Sequence, residues 1–187
     1  VLLACRNEGK DPPDRGKVLS DLTANVIVPA YSDAVTDVTA LEASMASLRD
    51  APSADTLNAA RTAWKKARST WKFTDAFVVG PSADIGVSGK IDFPATPKSV
   101  EATIAGTTAL DEATVGNLGG DQQGFPAIEV VLFDPARDDA AMLAAFGAAG
   151  SRRGVFGAVL ATLLKAKVTS VRDAWTAQGQ PAYDSYI

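Results

Sequence analysis

The sequence predicts an all-α protein, a helical bundle interrupted by one long irregular insertion. Three observations carry this. Apolar residues recur at steps of three and four along three long stretches. Proline or glycine signals end each stretch. The middle of the chain collects glycines and prolines between the second and third periodic segments. The 187 residues are 47% hydrophobic and 21% charged, which sets aside collagen-like, disordered and disulfide-scaffold classes.

Residues 1–14 read as an N-terminal tether. The one cysteine, Cys5, follows Val1-Leu2-Leu3-Ala4. Apolar residues, a small residue and then Cys resemble a bacterial lipobox, in which Cys5 carries the lipid; the alternative is an incidental or buried cysteine. Behind it a polar stretch with Pro12 and Pro13 suits a flexible link to a folded body at 15–187. No later segment has the roughly 18 consecutive apolar residues needed to cross a bilayer, so the anchor would hold an otherwise soluble domain at the membrane.

The first long helix is expected over 15–50. Its apolar positions are Val18, Leu22 and Val26, followed by Tyr31, Ala34, Val38, Leu41, Met45 and Leu48. Pro29 removes a backbone donor and should kink or divide it. Pro52 ends it, and Ser53 caps the next helix, which carries Leu57, Ala60, Trp64, Ala67, Trp71, Thr74 and Val78 inward. After Val79 the Gly80-Pro81 stop opens the irregular stretch, with short helices near 98–105 and 108–115. The loop 116–124 leads to 125–133, where Phe125, Ile128 and Leu132 favour a short buried helix, and Val130-Val131 leaves a strand as the alternative. The last helix, about 151–177, places Phe156, Leu160, Leu164, Val171 and Trp175 inward, and Gly179 and Pro181 close it.

Composition narrows the chemistry. There is no histidine, which removes Ser-His-Asp and Cys-His nucleophiles, His-containing zinc sites and imidazole pH switches. A single cysteine excludes internal disulfides and all-cysteine zinc sites. The net charge of -4 argues against a broad nucleic-acid footprint.

Three groups of residues remain. Trp64, Arg68 and Trp71 occupy neighbouring helical positions; they suit core packing, with Arg68 stacked or paired to a carboxylate, or a clamp for a ligand carboxylate. Asp84, Asp92, Asp111 and Glu112 are solvated loop acids or oxygen ligands for a hard cation, though no EF-hand spacing is present. Glu129 follows Phe125 by four and precedes Leu132 by three, so its carboxylate is expected toward the apolar side of its helix. There it needs a backbone donor, Arg68, a ligand or a metal.

Taken in order, Asn25-Val26-Ile27-Val28-Pro29-Ala30-Tyr31, the Trp64/Arg68/Trp71 set, Gly80-Pro81, Ile91-Asp92-Phe93-Pro94, the segment from Gly124 to Phe133 and the helix from Arg153 to Trp175 resemble the imelysin family of bacterial periplasmic and outer-membrane proteins. The resemblance implies an all-helical domain of two related bundles, about twice this length. Residues 15–187 then supply the first half, with an exposed apolar face where a second half or partner chain docks. Some members are described as metallopeptidases with a Gly-x-His-x-x-Glu motif, others are linked to iron uptake. Here the motif is Gly124-Phe125-Pro126-Ala127-Ile128-Glu129. Proline supplies no ligand atom where the histidine would stand, so a zinc peptidase, which needs several protein ligands, is disfavoured.

The implied function is that of a non-catalytic, lipid-anchored cell-envelope protein in iron acquisition. It would bind iron, another divalent metal or a small ligand, with Glu129 supplying an anionic oxygen, Arg68 orienting it beside Trp64 and Trp71, and 116–124 bordering the pocket. The competing readings are a scaffolding subunit of a cell-surface assembly, a peptidase with an acidic metal site and, last, a polymer-binding protein.

Overall fold

The computed structural model describes residues 14–176, so Cys5, Gly179 and Pro181 lie outside the described residues. Every regular element among these is helical. The helices are α1 (Arg15–Leu22), α2 (Val28–Asp50), α3 (Ala54–Phe73), α4 (Pro81–Asp84), α5 (Pro97–Ala105), α6 (Glu112–Gly116), α7 (Gly124–Leu132), α8 (Asp139–Phe146) and α9 (Arg152–Thr176). The strand alternative for 130–131 is thereby settled in favour of helix, and α8 is an element the periodicity did not announce.

Four of these build the bundle. α2 packs along both α3 and α9, and α7 also touches α3 and α9 from the opposite corner. The stripe Tyr31, Ala34, Val38, Leu41, Met45 and Leu48 is buried throughout, as are Leu57, Ala60, Trp64, Ala67 and Trp71 of α3. Gly157 lets α9 approach, because a Cβ there would press on Met45 of α2 and Val131 of α7. By composition α9 could cross a membrane, yet half of its apolar window is buried in the bundle, as suits a core helix.

The start of the first long helix departs from expectation. Val18, Leu22 and Val26 are exposed, while Thr23 and Ile27 are buried. The cause is a π-helical turn over Thr23–Ile27, in which the Val28 N–H reaches back five residues to the Thr23 carbonyl. Pro29 has no N–H to offer, and the widened turn absorbs this without dividing the helix. The inserted phase shift rotates the upstream stripe out of register with the stripe below. An apolar face results: Val26 and Phe73 line one surface groove, with Leu22 and Val18 further along α1.

Ser53 caps α3 as expected, its hydroxyl accepting from Thr56 N–H at 3.1 Å while Thr56 Oγ1 accepts from Ser53 N–H at 2.9 Å. The inward series then stops one turn early. Thr74 is buried but Val78 is exposed, since the chain tightens to a 3-10 turn over Thr74–Phe77.

Tyr31 sits at the core end of this turn. Its hydroxyl lies 3.4 Å from the Phe77 carbonyl oxygen, which accepts, and its ring is 6.1 Å from that of Trp71. Burial pushes its pKa above the ordinary tyrosine value, against hydrogen bonds with Ser82, Thr74 and Trp175 that act the other way. The native state thus favours the neutral phenol. That stabilisation is complete below the unfolded value of about 10 and is lost as pH rises through the folded value. Denaturant unfolding between pH 8 and 11 should show falling stability, with a shallower fall in Tyr31→Phe; equal slopes would refute the assignment.

Candidate functional site

α7 organises two environments, one on each side of it. On its buried side Phe125 gathers the α3 residues. Trp64 Nε1 donates to the Phe125 carbonyl at 3.0 Å, the Trp71 ring stands 6.4 Å from the Phe125 ring, and the Arg68 guanidinium lies over that ring at 5.5 Å. Arg68 also pairs with Asp92, which pairs in turn with Lys72 at 2.5 Å. The Asp92 carboxylate and Asp75 raise the Lys72 pKa. Ile91, beside Asp92, accepts the Phe125 N–H at 2.9 Å through its carbonyl. Three of the segments that carried the family resemblance, the Trp64/Arg68/Trp71 set, Ile91-Asp92 and the start of α7, therefore converge on one structural knot.

This corrects one expectation and decides another. Asp92 is not a solvated loop acid; it is the half-buried counter-ion that occupies Arg68. For the Trp64/Arg68/Trp71 set the core-packing alternative holds: the indoles are buried core side chains, Arg68 is stacked on Phe125 and paired to a carboxylate, and none of the set reaches the cleft described next as a ligand clamp. Of the other acids, Asp111 caps α6, accepting from Thr114 N–H at 2.7 Å, and this hydrogen bond lowers its pKa. Asp84 and Glu112 are exposed.

Glu129 is also corrected: it is exposed. At about 100° per residue, Phe125 and Leu132 both lie on one side of Glu129 around the helix axis and do not bracket it. The buried arc of α7 ends at Phe125, and Glu129 is the next position beyond. The outward arc holds Pro126, Glu129, Val130 and Phe133, and all four line an open cleft of about 400 Å³ between α5 and α7. Position 126 and Glu129 thus share one face and one cleft, as their spacing implies. The segment 116–124 borders a different groove, through Leu118 and Gln122.

The far wall of the cleft comes from residues that the sequence did not single out. Glu101 of α5, Asp134 and Arg137 line it. Arg153, at the start of α9, is 4% exposed; its Nη2 reaches both Glu101 carboxylate oxygens at 2.5 Å, and its Nη1 donates to the Val131 carbonyl at 3.2 Å. Arg137 approaches Asp134 at 3.2 Å and Glu101 at 4.0 Å. Among the described residues the Glu129 carboxylate has no ion-pair or hydrogen-bond partner. The one available signal was Arg152-Arg153 opening a helix, where cations oppose the helix dipole.

These residues do not fit a resident metal. Pro126 has no ligand atom, Glu101 is held by Arg153, and Asp134 by Arg137. Among the described residues no group of three or more His, Cys, Asp or Glu side chains could hold an ion. Glu129 as a metal ligand would stand alone, whereas a catalytic zinc needs three protein ligands.

Comparison with known proteins places this geometry in context. The chain is 30% identical over 167 residues to iron-regulated protein A of Synechococcus elongatus, covering 87% of this chain and 41% of that protein. It superposes on the crystal structure of an imelysin-like protein from Psychrobacter arcticum 273-4 with a TM-score of 0.69 at 19% identity, covering 86% of this chain and 49% of that one. The chain therefore spans less than half the length of either. The imelysin family model matches residues 27–186, a span that includes α7, its knot and its cleft, and on that match the chain belongs to the imelysin family.

Proposed function

We propose that the chain is a non-catalytic, ligand-binding part of a cell-envelope protein associated with iron acquisition, and that the α5–α7 cleft takes a small ligand presenting a positive charge to Glu129. The observation that carries this is the pairing of two facts at one motif. Position 126 is a proline, and the motif glutamate is retained, unpaired and open to a cleft. An unpaired carboxylate costs little while solvated and gains a charge-assisted partner when a cation arrives. The volume of about 400 Å³ falls in the range of small-ligand sites. Pro97, Pro126, Val130 and Phe133 supply the apolar wall such sites use for the body of a ligand.

Family membership and the relation to an iron-regulated protein support the envelope and iron parts of the reading. Lipid attachment at Cys5 belongs to the same proposal, as does a second helical half or partner chain beyond the present one. The test is equilibrium dialysis of the protein and of Glu129→Gln against a positively charged ferric hydroxamate chelate, with Fe²⁺ alone as the control that a single carboxylate should not hold. Saturable binding of the chelate, weakened about tenfold by Glu129→Gln, which is about 1.4 kcal/mol, is expected. Chelate binding that ignores the substitution, or no chelate binding, would overturn the reading.

A further inference from the structure

The same cleft carries a second, independent recognition group. Arg137 is one-third exposed and lines the cleft. Its guanidinium approaches Asp134 and Glu101, but its Nη1 is shut from solvent with no hydrogen-bond partner, and no hydrogen bond to any of its side-chain nitrogens is present among the described residues. Contrast the other arginines around α7 and α9. Arg61 donates to the Leu132 carbonyl at 3.0 Å, Arg152 to Ile104 at 2.9 Å and Thr103 at 3.1 Å, and Arg153 to Val131 and Glu101. Those three are capping devices with their donors committed. Arg137 is held by ion pairs, its Nε 3.2 Å from Asp134 and its Nη1 4.0 Å from Glu101, and its Nη2 has no protein partner among the described residues. A guanidinium N–H donates a charge-assisted hydrogen bond to a carboxylate.

From these observations we infer that the cleft recognises a zwitterionic α-amino acid with an apolar side chain. The carboxylate of the ligand meets Arg137, its ammonium meets Glu129, and its side chain lies against Phe133, Pro126 and Val130. The inference rests on the reading of this cleft as the binding site and adds the anionic half of the ligand. Charge balance favours both ends together. The cleft groups Glu101, Glu129 and Asp134 face Arg137 and Arg153, so a bare anion meets a surplus of carboxylates, while a bare cation leaves the Arg137 donors unused. A zwitterion satisfies both, and Phe133 offers it a ring already braced by Trp64 at 5.3 Å and by Arg61 at 5.2 Å.

The experiment is titration calorimetry of the whole chain with L-phenylalanine, with L-phenylalaninamide, which lacks the carboxylate, and with N-acetyl-L-phenylalanine, which lacks the ammonium. Phenylalanine should bind, and each analogue about tenfold or more weakly. Arg137→Gln should abolish the preference for phenylalanine over its amide while keeping the preference over the N-acetyl compound. Glu129→Gln should do the reverse. This crossed pattern is one that a purely structural role of either residue does not produce, and thermal melts of both variants check that they fold. Equal binding of phenylalanine and its amide sinks the inference but leaves the cation reading standing if the Glu129-dependent dialysis result holds. No binding of phenylalanine up to about 10 mM, weaker than the millimolar end of the affinity scale, sinks it as well.

Discussion

Gly124→Ala should lower the melting temperature by about 10 °C, while Gly86→Ala lowers it by only a few degrees. Both glycines have left-handed backbones, φ +72° and +63°, where a Cβ costs about 1–2 kcal/mol. They differ in surroundings. A Cβ on Gly86 meets nothing within 4 Å, whereas one on Gly124 runs into the Ile91 backbone carbonyl. Ile91 is fully buried, and its carbonyl already accepts the Phe125 N–H, so neither side can yield cheaply. Moving it strains that hydrogen bond, worth about 1 kcal/mol, and pulls on Asp92, which holds Arg68 and Lys72. The quantified terms come to about 2–3 kcal/mol, with the pull on Asp92 in addition, against a total stability of about 5–15 kcal/mol, and each kcal/mol shifts the midpoint about 2–4 °C at this size. Circular dichroism melts decide it, and equal shifts for the two variants would show that the close approach of α7 to residue 91 is not a constraint.

That pair of glycines marks what could and could not be read from the chain. The stripe from Tyr31 to Leu48 was legible because a helix face is a local property: each residue's phase follows from its neighbours. So were the Ser53 cap and the inward series of α9, whose Phe156, Leu160, Leu164, Val171 and Trp175 are all buried. Val18, Leu22 and Val26 failed because one π-helical turn breaks that phase, and nothing in the pattern of apolar residues records a turn of five. Glu129 failed for a related reason. Two apolar neighbours establish a buried face only if they flank the residue, and the angular arithmetic puts both on the same side.

The site was harder, since its walls are far apart in sequence. Glu101 and Arg153 are separated by 52 residues, and no spacing rule connects them. Arg68 shows the limit from the other direction. The sequence offered it a carboxylate partner or a ligand, and the choice fell to Asp92 because the loop after Gly80-Pro81 returns to α3, a path set by packing and not by any local motif.

Arg153→Met should cost about 3 kcal/mol, and should also alter the cleft. Methionine keeps much of the length and apolar body of the side chain, so packing beside Glu101 and Val131 changes little. What is lost is electrostatic. α7 ends with carbonyls that have no partner inside the helix, and Arg153 serves Val131 while Arg61 serves Leu132. Arg153 is almost wholly buried, so solvent does not easily replace it, and an unsatisfied buried carbonyl costs about 1–3 kcal/mol. Glu101 loses its cation too, but its side chain is 37% exposed and can turn to water, which holds the loss below the 3–5 kcal/mol of a fully buried broken pair. Arg153→Lys restores the charge without the fork that spans Val131 and Glu101, and should fall between the two. The consequence for binding follows from where Glu101 goes. Released from Arg153, its carboxylate is free to close the 4.0 Å gap to Arg137 and compete for the guanidinium that the ligand carboxylate needs. Arg153→Met should therefore weaken phenylalanine more than phenylalaninamide, with Glu101→Gln in the same background restoring the difference. Chemical denaturation measures the first effect and calorimetry the second. A stability loss under about 1 kcal/mol would mean that the Val131 carbonyl finds another donor, and an unchanged ligand preference would mean that Glu101 stays away from Arg137 when released.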